Sequence, residues 1–529
     1  MLAEQTALYV NVPPQSLAAA LDSLAQQAHL QIIYNPDTLG EQSSRAVVGT
    51  YTPREALEKL LAGTGLSYTF TAEDTVSVRT DEQSPPKPAN EPASKPDGPT
   101  VLPEMTVIAK PTDATSLTNP AVEQAREELR RIPGGASVIE AKDYKGGPVL
   151  GGQDALRNAP GVYAQSRSGY GDVRLSIRGS GISVPFGSRG LRQLRDGLPL
   201  TRADGFNRSF YADYDDAEYV VIYRGANALE CGSITLSGAI NLVSPTGHSR
   251  PGLRARLNGG SDAFVGGNLS YGGVFGEGWD GYAVVSGFRT DGFRDNDEQS
   301  KAKFSGNLGY RFGERSEGRF YFEIEEQKLN QPGSLTKAAL ENDPTQANAG
   351  SARANATLDQ TPRSYVGYKH GFLLGDDDQL DVGAYWTNAD FENPTNFAQF
   401  FDTDYGAALR HELNGTLFGA RNRFVWGASA AKGEVETDTF GPIRFGNFVA
   451  EPNPGQLEDD RSDSTNLEGF AQEQFYLAPG FSVLAGAQYV YAKREIRTEV
   501  PTPPTNFPIF FPQDEEETYH GFSTKLGAI

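Results

Sequence analysis

The sequence predicts a mainly β chain in three parts: a small α+β module, a second α+β domain, and a long run of antiparallel strands. Three observations carry this. The 529 residues include 59 glycines and 10% aromatics, a composition of strands and tight turns more than of helices. From Gly252 onward apolar residues recur at every second position, the period of a strand with two different faces. No stretch of about 18 apolar residues occurs, which excludes a helical membrane protein but not one crossed by strands, whose hydropathy signal is weak.

Charge and cysteine content narrow the function classes. A net charge of −21 argues against nucleic acid, because phosphate binding needs clustered Lys and Arg. The single cysteine, Cys231, permits no internal disulfide and no cysteine-based metal site. The five His are scattered without ligand spacing, so no metal or cofactor is expected. An enzyme is not expected either, since no nucleophile–base pair or phosphate loop stands out.

Residues 8–78 read as the first module. Tyr9 to Val12 alternate as a short strand that Pro13 and Pro14 turn. Ser16 can cap the helix that follows, its hydroxyl accepting an orphan N–H of the first turn. Leu17, Ala20, Leu21, Leu24 and Ala28 make one apolar face. Gln31 to Tyr34 form a strand, and Tyr51-Thr52-Pro53 lead into a second helix with Ala56, Leu57, Leu60 and Leu61. Gly63 and Gly65 suit its end, where left-handed φ is needed. The stretches 67–70 and 75–78 close the unit as a hairpin.

Residues 81–103 are a linker in which Pro85, Pro86, Pro88, Pro92, Pro96 and Pro99 enforce an extended, semi-rigid spacer. Directly after it stand Glu104, Met105, Thr106, Val107, Ile108 and Ala109. This acidic-then-β-branched hexamer can add as a strand to an exposed sheet edge, or simply begin the next domain; its place after a tether favours docking.

The second domain spans residues 111–247. Ile132-Pro133-Gly134-Gly135 opens it, and Asp154 to Val162 read as a short helix ended by Pro160-Gly161. Three blocks follow: Leu175-Ser176-Ile177-Arg178-Gly179, Asp196-Gly197-Leu198-Pro199, and Val220 to Gly225. Gly232 and Ser237-Gly238-Ala239-Ile240-Asn241 complete the set. From residue 248 to 529 about twelve strand candidates of about 9–14 residues follow by their alternation. Turns such as 276–278 and 313–315 are short, while the stretches 328–363 and 433–466 are long. That asymmetry is the one shown by outer-membrane barrels.

The wording of these segments resembles the TonB-dependent outer-membrane receptors. Pro14-Gln15-Ser16-Leu17, Gln31-Ile32-Ile33-Tyr34 and Tyr51-Thr52-Pro53-Arg54-Glu55-Ala56-Leu57 are similar to the secretin and TonB short N-terminal domain. Residues 104–109, within a segment 104–110, resemble a TonB box, and the ordered Arg-Gly and Asp-Gly blocks resemble a receptor plug. Gln331-Pro332-Gly333-Ser334-Leu335-Thr336 resembles a phrase of the ferric-dicitrate receptor group. There are departures. The family usually has an apolar residue at Arg195, Glu at Val221, Pro at Ala226 and Tyr at Cys231; Cys231 reads as filling space there.

The resemblance implies a periplasmic signalling domain over residues 1–80, a plug, and part of a 22-stranded transmembrane antiparallel β-barrel in the outer membrane. It implies that the chain is a fragment lacking a signal peptide and its later strands. It implies TonB-dependent import of a ferric siderophore or ferric citrate; cobalamin, a nickel chelate or a glycan is the alternative cargo. The implied partners are TonB with ExbB and ExbD, an inner-membrane anti-sigma regulator reading residues 1–80, and outer-membrane lipid. Residues 104–109 are expected to bind TonB, with the plug base periplasmic. Phe186, Arg189, Arg202, Phe206, Asn207 and Arg208 fall where plug apex loops belong, mixing Arg with aromatics, and are the candidate ligand residues. They can equally be solvated turns beneath the barrel loops. Arg178 and Arg224, each ending a strand before Gly, are expected by the resemblance to pair with barrel glutamates inside the lumen, in strands beyond Ile529.

Overall fold

The computed structural model describes residues 8–13, 15–28, 31–33, 44, 46–61, 64, 66–70, 75–80, 116–166, 169–180, 187–354, 357–375, 378–393, 398–440, 456–478, 480–499 and 513–529. The linker 81–103, the hexamer 104–109 and Phe186 lie outside the described residues. The chain divides into two compact units, Met1–Val107 and Ile108–Ile529.

In the first unit, strand β1 (Leu8–Val12) leads to helix α1 (Leu17–Ala28) and strand β2 (Gln31–Ile33). Strand β3 (Val47–Tyr51), helix α2 (Pro53–Leu61) and the hairpin of β4 (Leu66–Phe70) and β5 (Thr75–Thr80) follow. β1 pairs antiparallel with β3, and β2 runs parallel to β5, a second pairing that the sequence pattern does not reveal. The Ala19 N–H donates to the Ser16 hydroxyl at 3.4 Å. At α2 the Glu55 N–H donates to Thr52 Oγ1 at 3.3 Å and the Thr52 N–H to Glu55 Oε2 at 2.9 Å, a reciprocal cap. Leu17, Leu21 and Leu24 of α1 meet Ala56, Leu57, Leu60 and Leu61 of α2 in one core with Val10, Val12 and Val76.

The second unit begins with α3 (Val122–Arg130), β6 (Ala136–Glu140), α4 (Ala141–Tyr144) and α5 (Gly152–Leu156). Strands β7 (Val162–Ser166) and β8 (Val173–Ile177) pair as a hairpin. A five-stranded sheet has the order β10-β9-β12-β11-β6, built from β9 (Leu191–Arg195), β10 (Leu198–Pro199), β11 (Tyr219–Arg224) and β12 (Gly238–Val243). Between β9 and β10 Asp196 and Gly197 both take positive φ, +53° and +84°, and Leu198 pairs with Arg195. This is the tight hairpin that an Asp-Gly dipeptide favours, since both central residues must be left-handed.

A twelve-stranded sheet follows in sequence order, each strand antiparallel to the next. Its strands are β13 (Gly252–Gly259), β14 (Val265–Phe275), β15 (Trp279–Thr290), β16 (Gln299–Arg311), β17 (Ser316–Asn330) and β18 (Thr357–Leu373). Then come β19 (Gln379–Asn393), β20 (Ala398–Leu417), β21 (Ala420–Phe440), β22 (Gln456–Ala478), β23 (Phe481–Glu499) and β24 (Gln513–Ala528). The later strands exceed the expected length, reaching 23 residues in β22. Most of the stretch 433–466 is therefore ladder and not loop. Period-two alternation persists there with charge in place of apolar residues, and cross-strand pairs such as Arg461–Glu434 at 2.6 Å accompany it.

The two faces of this wall are inverted relative to a soluble protein. On β17 Phe320 and Ile324 are exposed, whereas Tyr321, Glu323 and Glu325 are buried against the smaller sheet. Trp279, Tyr310, Phe312, His370 and Phe372 form a row of ring contacts, with centroids 4.2 to 5.6 Å apart, across the short-turn ends of β15, β16 and β18. An apolar outer band bordered by an aromatic girdle is the signature of a strand wall facing lipid. No helix among the described residues is long and apolar enough to cross a membrane.

Candidate functional site

The inner domain touches the wall at three levels. The first lies near the end from which the long connections 331–356, 441–455 and 500–512 leave. Here residues 187–190 and 201–211 come together: Ser188 and Asn207 exchange backbone hydrogen bonds of 3.1 and 2.9 Å, and the Asn207 side-chain amide donates to Ser188 Oγ at 3.1 Å. Asn207, almost fully buried, is thus a tie between the two apex segments. The guanidinium carbons of Arg189, Arg202 and Arg208 stand 5.6, 5.7 and 5.5 Å from the Phe206 ring centre.

These three arginines differ in what they can still bind. Arg202 and Arg208 are buried and share Asp402 of β20, at 3.1 and 3.2 Å; Arg202 also meets Asp204 at 2.9 Å. Arg208 sits over the rings of Phe391 and Phe400 as well, at 4.6 and 5.2 Å. Arg189 is 55% exposed; its strongest contact is a 2.8 Å bond to the Asp204 carbonyl. Two of the candidate arginines therefore fasten the apex to the wall, and one remains open to solvent.

The middle level is a buried charge cluster. The domain supplies Arg195, Asp213 and Asp216; the wall supplies Lys301, Lys303, Glu323, Glu325 and Arg363. Glu323 accepts from both Arg195 and Arg363, and Lys303 lies 3.4 Å from it. Lys303 Nζ donates to Asp213 at 2.9 Å and Asp216 at 3.3 Å, and Lys301 joins Asp213 at 3.2 Å to Glu325 at 2.9 Å. Four cations face four carboxylates, so the cluster is neutral as a whole and each ion is compensated. Nearby, Arg192 pairs with Glu468 at 3.1 Å, and Glu468 also accepts the Ser233 N–H at 2.8 Å.

The third level is a clamp at the short-turn end. Glu317, the second residue of β17, accepts the Ser116 hydroxyl at 2.6 Å, the Leu117 N–H at 2.7 Å and the Thr118 hydroxyl at 2.7 Å. Arg319 donates to Thr118 Oγ1 at 3.0 Å while both its terminal nitrogens bind Asp280. Asn119 carries the connection inward, donating to Asp196 at 2.9 Å, whose carboxylate also takes the Ser244 N–H and hydroxyl.

Arg178 and Arg224 meet no wall carboxylate among the described residues, and the glutamates expected for them belong to strands beyond residue 529. Arg224 donates to the Pro160 carbonyl at 2.7 Å and to Ser137 Oγ at 2.9 Å, both within its own domain. Arg178 follows β8 with φ of +53° and is exposed. Among the described residues neither forms an ion pair with a carboxylate. The wall contacts seen here are made by Arg192 and Arg195, on a strand whose five residues are all buried. One signal was present in the sequence: two arginines in a short strand just before an Asp-Gly turn. Burial in this domain also pushes the Cys231 thiol up to about 12, in keeping with a residue that only fills space. Among the described residues, one acidic group, Glu436, Asp438 and Asp459 of β21 and β22, could hold a metal ion.

Residues 128–239 match the family model for the TonB-dependent Receptor Plug Domain, and residues 30–81 that for the Secretin and TonB N terminus short domain. The chain is 26% identical over 315 residues to the Ferripyoverdine receptor of Pseudomonas aeruginosa, covering 57% of this chain and 36% of that receptor. It is 30% identical over 279 residues to the Ferric-pyoverdine M114 receptor PbuA of Pseudomonas sp. strain M114, covering 48% and 29%. It therefore spans about a third of the length of these curated relatives. In fold it is similar to the unliganded ferric citrate transporter FecA, with a TM-score of 0.63 at 13% identity over 76% of this chain and 61% of that one. The ferripyoverdine receptor bound to ferripyoverdine gives 0.56 at 15% identity, covering 99% and 68%.

Proposed function

We propose that this chain, which carries the plug and the short N-terminal domain of a TonB-dependent siderophore receptor on a matching β-barrel wall, serves in the outer membrane to import a ferric chelate and to report its arrival. One observation carries the reading. A single domain holds an open arginine–aromatic apex at the long-connection end of a lipid-facing wall and is clamped at the opposite end through residues 116–118, which follow the expected docking hexamer in sequence. Such a plug can take a ligand on one side and a pull on the other. No covalent chemistry is needed.

In this reading the chelate settles between the long connections and the apex, where Arg189 and Phe206 offer a charge and a ring face. Anionic chelates suit a guanidinium, which binds carboxylates through a planar fork. Residues 104–109 then add as a strand to TonB, and the proton gradient, through ExbB and ExbD, draws on the plug. Residues 1–80 face the periplasm and contact an anti-sigma regulator. Titrating the purified chain with ferripyoverdine and with ferric citrate tests the reading; binding of neither, beside tight binding of a non-iron cargo, would sink it.

Two further outcomes are expected. Arg189→Ala should weaken binding of an anionic chelate by about ten- to a hundred-fold, since a charge-assisted contact contributes roughly 1.5–3 kcal/mol. Its thermal midpoint should hardly move, because Arg189 is mostly exposed. Equal calorimetric affinity in the variant would place the ligand on the barrel connections alone. Deleting residues 1–78 should leave uptake intact and abolish chelate-induced transcription, since a Pro-rich tether transmits little rigid contact. Loss of uptake at normal surface abundance would show that the module is not separable.

A further inference from the structure

The 331–336 phrase, Gln-Pro-Gly-Ser-Leu-Thr, opens the connection between β17 and β18, and its carbonyls are read one after another. The Asn296 side chain donates to the Gln331 carbonyl at 3.0 Å. Arg294 Nη2 donates to Pro332 at 3.4 Å, and Nη1 to Gly333 at 2.8 Å. The Asn348 side chain donates to Ser334 at 3.0 Å. Arg294 then reaches across to the Gln346 carbonyl through Nε at 3.1 Å and Nη2 at 2.9 Å. All three of its nitrogens are spent on backbone, and among the described residues it forms no ion pair. Asp295 adds a backbone bond to Thr345 of 2.7 Å.

What this fork holds is a folded object and not a slack loop. Helices α6 (Lys337–Asn342) and α7 (Ala349–Ala354) lie within it, and Thr336 caps α6 by accepting the Ala339 N–H at 3.2 Å. Gly333 has φ of +70°, and a Cβ there would stand 2.3 Å from Ser351 Oγ, so the turn tolerates no side chain. Its foundation meets the plug: Leu329, at the top of β17, is buried with Phe210, Tyr211 and Phe391. The connection and the plug apex therefore share one packed base.

We propose that Arg294 is a positioning residue of the ligand mouth, fixing residues 331–354 as a preformed wall so that the chelate meets an ordered surface and no closing flap. This rests on the receptor reading above. Arg294 does not touch the ligand; its fork sets the shape that does. Lysine keeps the charge but offers one nitrogen in place of three, so it cannot hold the Pro332, Gly333 and Gln346 carbonyls in the fork's fixed geometry.

Backbone amide exchange followed by mass spectrometry, on the full chain in detergent, compares wild type with Arg294→Lys. Protection of residues 337–354 is expected to fall at least ten-fold in the variant, with β17 and β18 unchanged. Calorimetry with ferripyoverdine and with ferric citrate is expected to show about a ten-fold loss of affinity, the cost of ordering a segment on binding. In wild type the chelate is expected to change exchange over 337–354 little. Unchanged exchange in the variant overturns the latch. Altered exchange with wild-type affinity overturns its role at the mouth, as does a wild-type segment that exchanges freely until chelate is added. A wild type that binds neither probe but binds a non-iron cargo tightly overturns the ferric-chelate reading itself, whatever the exchange shows.

Discussion

Glu323→Gln should lower the stability of the plugged wall by about 3–5 kcal/mol, the range found when one partner of a buried ion pair is removed. Glu323 is the shared acceptor of Arg195 and Arg363 and lies 3.4 Å from Lys303, with 1% of its side chain exposed. Removing its charge leaves four cations facing three carboxylates, so one buried cation is uncompensated. An amide keeps the shape but can accept only through one oxygen, and its NH2 group faces donors. The loss should register first as loosening of the plug, because Arg195 is the plug's own contribution. A lower thermal midpoint and faster backbone amide exchange in β9 would be measured together. Arg195→Leu in the same chain should recover much of the loss, since three cations then face three carboxylates. The double-mutant cycle isolates that coupling. A Glu323→Gln midpoint equal to wild type would mean that water already compensates the cluster.

The same cluster shows what a sequence can and cannot disclose. Twelve strands were legible because alternation is a local property, and Asp196-Gly197 was legible as a block of the plug, while its hairpin came only with the structure. The length of β21 and β22 was not legible, since beyond the apolar belt only charge alternates and charge alternation also reads as loop. Arg195 stood out as a departure from the family pattern, yet its meaning lay 128 residues away in Glu323, on a different sheet. Arg178 and Arg224 were favoured for the opposite reason: a strand ending in Arg-Gly is conspicuous locally, while the carboxylates that decide an ion pair are distant. At the apex the residue types were legible and their availability was not. Asp402 binds Arg202 and Arg208 from β20, and no feature near residue 202 foretells that.

Val107→Pro should reduce chelate uptake to the level of a strain without receptor, whereas Val107→Thr should change it little. The hexamer 104–109 acts by strand addition in the proposed mechanism, so its recognition resides in backbone N–H and C=O groups more than in side chains. Proline removes one N–H and fixes φ near −65°, which breaks a ladder at its centre; threonine keeps both the donor and β-branched stiffness. The floor clamp explains why so local a change should be total. Ala109 and Ser116 are seven steps apart, so an extended chain between them spans at most about 25 Å. Past that point any pull loads Ser116, Leu117 and Thr118, the three groups held by Glu317, and through Asn119 the Asp196 hairpin beside Arg195. A strand that cannot pair delivers no load, and the clamp then stays shut however well the apex binds. Binding of the chelate should accordingly be unaffected in Val107→Pro, separating capture from transport. Equal uptake by the proline and threonine variants, at equal surface abundance, would remove residues 104–109 from the mechanism and leave the clamp as a purely structural anchor.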